Sequence, residues 1–195
     1  MKKYSNSFLD QKRHQTDPTA EQFARKAISI DQRLFWQFIS DLEGNTVPTT
    51  FVPLIEEYFP TYDQLPEDFD TDILSESEFF FERYAQPIFI LLGTYSLPYC
   101  YAAEAGVQVL FQTQRLTQRP LKRLQETGLF VFNVSEGGAF SERGNGWLSI
   151  LKVRLMHAAV RVKIGKHTQW NAEKWGQPIN QEDMTGTLIS FSLIV

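Results

Sequence analysis

The sequence predicts an all-α protein, and three observations carry that reading. Apolar residues recur at three- and four-residue spacing through several long stretches, and alternation at every second residue is scarce. Residues that start and stop helices punctuate the chain at Asp17-Pro18, Gly44-Asn45, Gly137-Gly138 and Asn180-x-x-Asp183. The 195 residues, 43% hydrophobic and 14% aromatic, are enough for one domain over residues 1–195 with a substantial apolar core. No internal repeat divides it.

A first helix is expected from Asp17-Pro18, an N-cap followed by proline at the first helical position, to about Ile30. A second runs from Asp31 through Leu34, Phe35, Trp36, Phe38 and Ile39 and stops at Gly44-Asn45. Residues 47–72 carry Pro48, Pro53, Pro60 and Pro66 among acids and aromatics, so a wrapped loop with a short helix at Leu54–Tyr58 is expected there. Helical spacing returns from Ile73 to Leu92 with a kink at Pro87, and Ser96-Leu97-Pro98 then interrupts the chain. A long helix follows from Tyr99 to Gln114, whose Ala102, Ala103, Ala105 and Gly106 allow another backbone or a flat group to come close. Arg119-Pro120 opens a helix through Leu121, Leu124, Phe130 and Val134, and another spans Asn145 to Gly165. Asn180 to Asp183 has the form of a capping box, with Ile179 and Met184 as a hydrophobic staple. The helix it starts runs through Leu188, Ile189 and Phe191 to Val195 without a terminator, an apolar end that reads either as a fragment's or as that of a truncated chain that self-associates to cover it.

Composition excludes several functions. With 19 basic and 23 acidic side chains and no dense Lys/Arg run, the chain lacks the footprint of a nucleic-acid binder. A single cysteine, Cys100, closes no intrachain disulfide, and no Cys/His cluster holds a structural zinc. The polar start, Met1 to His14, has no apolar signal segment, and Pro87 to Ala103 is too short and too polar for a transmembrane span. A cytoplasmic protein is expected. Gly144-x-Gly146 lacks the third glycine and preceding strand of a nucleotide-binding turn.

The informative helix is Asn145 to Gly165. Plotted at about 100° per residue, it places Ser149, Lys152, Ala159 and Lys163 on a side read as solvent-facing, and Trp147, Ile150, Ala158 and Ile164 on an arc read as core. In the middle of that arc sit Arg154, His157 and Arg161, within about 60° of one another. Three such groups in apolar surroundings are costly unless an anion or a metal compensates them. In one reading the arginines pair with buried carboxylates such as Glu104 or Glu126, and His157 bonds a backbone carbonyl. In the other, neutral His157 binds the iron of haem while the guanidinium groups one turn away neutralise the propionates. Residue types alone leave both open.

The run Val153-Arg154-Leu155-Met156-His157-Ala158-Ala159-Val160-Arg161 is followed by Trp170, by Gly176-Gln177-Pro178-Ile179-Asn180-Gln181-Glu182-Asp183-Met184 and by Gly186-Thr187-Leu188. Together these segments resemble the rubber oxygenase and MpaB-type oxygenase family. Arg123, with Thr127 four residues on, resembles that family's second site motif. The resemblance extends from about Phe80 to the end and leaves residues 1–79 as an N-terminal helical extension. It implies a globin-like helical bundle, truncated at its C-terminus relative to the family, that holds haem b. His157 would be the axial iron ligand, Arg154 and Arg161 would support the haem, and Arg123 and Thr127 would belong to the opposite wall. The resemblance further implies dioxygen and an unsaturated, apolar, isoprenoid-like substrate that is oxidised or cleaved at its alkene. A non-catalytic haem-binding protein, or a cofactor-free helical protein of the same descent, is the alternative.

Where rubber oxygenases can place a distal lysine, this chain has Glu126, which reads either as a proton acceptor beside the haem or as a surface partner of Arg123 at i,i+3. The family's acidic base falls nearest Glu104, whose plainer reading is a helix-surface acid. His14 and His167 read as surface residues, Arg143 as a loop residue near a propionate or in solvent, and Trp170 and Trp175 as packing for a loop.

Overall fold

The computed structural model describes residues 4–67, 70–113, 120–142, 144–167 and 170–192, with His167 as backbone only. The expectations for Gln114, Arg119, Arg143 and Val195, and for the His167 side chain, fall outside the described residues. Among those described the regular structure is helical, with no strand, as the spacing of apolar residues requires. No helix among them is long and apolar enough to cross a membrane.

The chain opens with a helix absent from the expectations, α1 (Asn6–Arg13), whose N-cap Ser5 accepts a hydrogen bond from the Phe8 amide at 3.2 Å. Helix α2 (Pro18–Ser40) is two helices in sequence. Asp31 has extended backbone, φ −152°, and its carboxylate accepts from the Leu34 amide at 2.8 Å, so it caps the second half as the sequence predicts. Helix α3 (Val52–Tyr58) starts with Pro53 in its first turn, and α4 (Thr71–Leu91) contains Pro87. Beyond α4 the hydrogen-bond ladder widens to a π-helical turn, Leu92–Ser96, and then tightens again into α5 (Leu97–Tyr101).

The single helix expected from Tyr99 onward is instead broken. Ala103 has extended backbone, φ −72° and ψ 105°, and α6 (Glu104–Gln112) starts anew after it. The restart sets Gly106 against a carboxylate, where an added Cβ would lie 3.3 Å from Oδ1 of Asp183. Helices α7 (Pro120–Ser135) and α8 (Gly146–His167) follow, joined across Gly138, whose φ is 76°. A short α9 (Ala172–Trp175) and then α10 (Gln181–Ser192) complete the described chain.

These elements pack as two compact units. One comprises Pro18–Ala85 and Leu124–Ala159. Its core is a cluster of buried residues from α2, α3, Phe51, Phe59 and the first part of α8. Phe23 is fully buried at its centre, with ring centroids 5.6 Å from Phe59, 6.1 Å from Tyr58 and 6.5 Å from Phe35. Each such ring contributes about 1.5–3 kcal/mol by leaving water.

The other unit comprises Met1–Asp17, Gln86–Arg123 and Val160–Val195. Its buried apolar side chains, Leu92, Leu97, Val107, Val109, Val162 and Ile164, are fewer and smaller. It carries a dense set of hydrogen bonds between the chain start and the segment before α10. Gln177 N donates to Arg13 O at 2.8 Å, Gln181 N to Gln15 O at 3.0 Å, and Gln181 Nε2 to Thr16 O at 3.1 Å.

Candidate functional site

Helix α8 turns a different face to the core than its polar pattern predicts. Leu148, Leu151, Leu155, Ala158 and Ala159 pack into the aromatic cluster, and Ser149 and Lys152 are buried on the same side. Of the residues read as solvent-facing, only Lys163 is exposed. Of those read as core, Ile150 and Arg154 are exposed, Trp147 and His157 are half-buried, and Ala158, Arg161 and Ile164 are buried.

The reversal has a specific cause. The carbonyls of the turn that follows α2, at Asp41, Leu42 and Gly44, lie outside any helical ladder and must be satisfied where they are buried. The Lys152 ammonium bonds Asp41 O and Gly44 O, and it lies 5.4 Å from the Phe38 ring centroid. Asn133 Nδ2 donates to Leu42 O at 2.8 Å and to Ser149 Oγ at 2.9 Å, and Asn145 Nδ2 donates to Leu42 O at 2.9 Å. Polar side chains thus serve as caps inside the protein. Burial pulls the Lys152 ammonium below the usual lysine range, and the charge of Asp41 opposes that shift.

The three stripe residues keep one helix but not one environment. The Arg154 guanidinium stacks over Phe59, 4.8 Å from the ring centroid. One turn on, His157 is half-buried with its Nδ1 atom shielded from water. One turn further, Arg161 is 7% exposed and donates from Nη1 to Ile179 O at 3.0 Å.

The acid proposed to neutralise these arginines from α6 does not serve that purpose. Glu104 is exposed and bonds Lys174 Nζ at 2.8 Å, a contact that holds its carboxyl below the usual range. This agrees with its reading as a helix-surface acid. His14 is exposed as expected. Arg123, Glu126 and Thr127 all lie on α7, each half-buried, with Nε of Arg123 shielded from water. The Asn133–Ser149 hydrogen bond joins α7 to α8. Glu126 lies seven residues before that joint and His157 eight after it, about two turns along each helix.

The segment after α8 carries the carbonyl that Arg161 bonds. Trp170 and Trp175 pack edge to face with centroids 5.2 Å apart, and Trp170 Nε1 donates to Gly176 O at 2.7 Å. Gly176 adopts φ +71°, and an added Cβ would meet Arg13 O at 2.6 Å, so both conformation and space demand glycine. Ile179, at φ 51°, is a β-branched residue in the left-handed region. Asn180, fully buried, forms the expected cap with Asp183: its Oδ1 accepts from the Asp183 amide at 2.9 Å and its Nδ2 donates to Asp183 Oδ2 at 2.8 Å. Burial, with the neighbouring Glu182 adding to it, pushes the Asp183 carboxyl up to about 6, against the pull of Arg13 and Asn180.

Asn133 and Arg13 are structural side chains to which the sequence reading gave no role, and Lys152 is one it placed in solvent. A signal for the last existed: Leu148, Leu151, Leu155, Ala158 and Val162 recur at helical spacing, and Lys152 falls within that row. The open groove lined by Gln32, Arg33, Trp36, Gln37 and Ser40 contains none of the site residues.

A family model described as the catalytic domain of ER-bound oxygenase mpaB/B′ and rubber oxygenase matches residues 90–195. No curated protein and no solved structure matches the chain. The match takes in α7, α8 and the Gly176–Asp183 segment, ten residues short of the N-terminal limit expected from the sequence.

Proposed function

Because the chain belongs to the mpaB and rubber oxygenase catalytic-domain family, we propose that it is a haem b-dependent oxygenase using dioxygen on an unsaturated, apolar, isoprenoid-like molecule. One observation supports the cofactor. A half-buried imidazole with a shielded ring nitrogen sits on α8, with Arg154 three residues before it and Arg161 four after. Among the described residues no group of three His, Cys, Asp or Glu side chains could hold a metal ion by itself. One imidazole flanked by two guanidinium groups is the donor set that a haem, which brings its own four nitrogen ligands and two carboxylates, would use.

When bound, haem supplies the activation of dioxygen. The rest is done by side chains. His157 would hold the iron, and Arg154 and Arg161 would neutralise the porphyrin carboxylates. Arg161 is held for this by its bond to Ile179 O, whereas Arg154 can swing from the Phe59 ring because it is exposed. On α7, Glu126 would accept or return a proton, Arg123 would hold negative charge, and Thr127, one turn from Arg123, would donate a hydrogen bond. Apolar walls would keep water from the reacting alkene.

The test is an absorbance spectrum of the purified protein after haemin addition. A Soret band is expected in the wild type, and His157→Ala should lose it or shift its ligation while keeping a helical circular dichroism spectrum. A folded protein that ignores haemin refutes the proposal. Dioxygen uptake with a polyprenyl probe then separates an oxygenase from a haem carrier, which binds the cofactor without turnover.

A further inference from the structure

The chain start lies before residue 90, outside the family match, yet it is bonded to a segment inside it. We propose that residues Arg13–Thr16 form an N-terminal clasp that holds the Gly176–Asn180 loop in the conformation presenting the Ile179 carbonyl to Arg161. The clasp is therefore a positioning element for the site, and its last link rests on the haem reading.

Two attachment points bracket the strained residue. On one side of Ile179, Gln177 N donates to Arg13 O at 2.8 Å; on the other, Gln181 gives its amide to Gln15 O at 3.0 Å and its side chain to Thr16 O at 3.1 Å. Arg13 returns a bond from Nη2 to Lys174 O at 3.3 Å. Gly176 lets the two backbones touch, since any Cβ would meet Arg13 O at 2.6 Å. Between these points Ile179 is kept at φ 51°, a conformation that an isoleucine leaves unless its surroundings over-determine it. Its carbonyl takes the Arg161 guanidinium at 3.0 Å. Free rotation of Ile179 to negative φ would turn that carbonyl away. Capped by Ser5 and eight residues long, α1 gives the clasp an ordered base.

Gln181→Pro in the full chain tests this. Position 181 is the first residue of α10, where proline's fixed φ suits a helix and its missing N–H breaks no intrahelical bond. The substitution removes both of the donors that Gln181 gives the clasp, keeps the Gln177 amide, and leaves α10 intact. Amide hydrogen exchange at Gln177 should rise about tenfold or more, two net hydrogen bonds being lost, and the Trp170 indole signal should shift, while the circular dichroism spectrum is unchanged. Wild-type exchange at Gln177 in a folded Gln181→Pro protein overturns the clasp. If that variant does not fold, Gln181→Ala, which loses only the Thr16 bond, should raise the exchange about threefold, and no rise overturns the clasp. Haemin titration decides the last link: Gln181→Pro should bind haemin about tenfold more weakly, and equal binding by both proteins refutes the connection to Arg161. Should the wild type take no haemin, the oxygenase reading fails, and the exchange result still judges the clasp.

Discussion

The unit containing α2, α3 and the first part of α8 is ordered by rings, with Phe23, Phe35, Phe51 and Phe59 fully or almost fully buried in one cluster. In the unit containing α1 and α10, with fewer buried apolar side chains, hydrogen bonds to main-chain carbonyls carry more of the order: Arg13 O, Gln15 O, Thr16 O and Ile179 O each have a named donor, whereas in the first unit such bonds, to Asp41 O, Leu42 O and Gly44 O, supplement the rings. The two solutions respond differently to change. Ring packing is insensitive to pH and loses stability mainly through cavities. A carbonyl-based clasp depends on backbone geometry, and one buried carboxyl can make it pH-dependent. Helix α8 takes part in both, since Gly146 to Ala159 belong to the first and Val160 onward to the second.

Three substitutions sharpen this contrast. Phe23→Ala, at a fully buried ring in contact with three others, should destabilise the protein by about 3–5 kcal/mol in denaturant unfolding. A loss well below that range would show that the ring cluster is not the main source of order. Lys152→Met keeps an unbranched side chain one atom shorter but strips the ammonium from Asp41 O and Gly44 O. It should cost about 2–3 kcal/mol, and an unchanged midpoint would mean that the turn after α2 is satisfied without it.

The smallest effect belongs to Asp183. Its carboxyl is raised from 3.8 to about 6, so the folded protein holds this proton more tightly than the unfolded chain. The group's contribution is therefore full below pH 3.8 and lost as pH rises through about 6. Asp183→Asn should remove that slope and raise stability at pH 7.5 by about 1 kcal/mol, a figure reduced for partial exposure to solvent. Parallel stability curves for the two proteins between pH 4 and 7.5 would count against a buried, proton-holding carboxyl.

Helix spacing and caps made the fold class legible, including the break at Asp31 and the Asn180–Asp183 cap, because both are written in adjacent residues. Helix α1 was missed because its eight residues bury nothing, so no apolar stripe announces it. The break at Ala103 left no local mark either, since alanine favours continuing a helix. The face of α8 was misread for a deeper reason. A buried lysine and serine look the same in sequence as exposed ones, and what buries them here is the turn after α2, more than 100 residues away. That Arg154, His157 and Arg161 share one helix was legible from their spacing. That Arg161 would meet a strained carbonyl, and that Gly176 is reserved for Arg13, depends on contacts that no short-range pattern encodes.

The interruption at Asp31 also bears on how tolerant α2 is of change. Apolar positions 20, 23, 24 and 27 precede it and 35, 38 and 39 follow, and all seven reach the same aromatic cluster. On an unbroken helix the second row would be rotated by about 60° from the first, and Phe35 would swing toward water. The break acts as a phase reset, so a residue inserted or deleted close to Asp31 should be absorbed there, whereas the same insertion next to Phe23 or Phe38 would scramble the whole row.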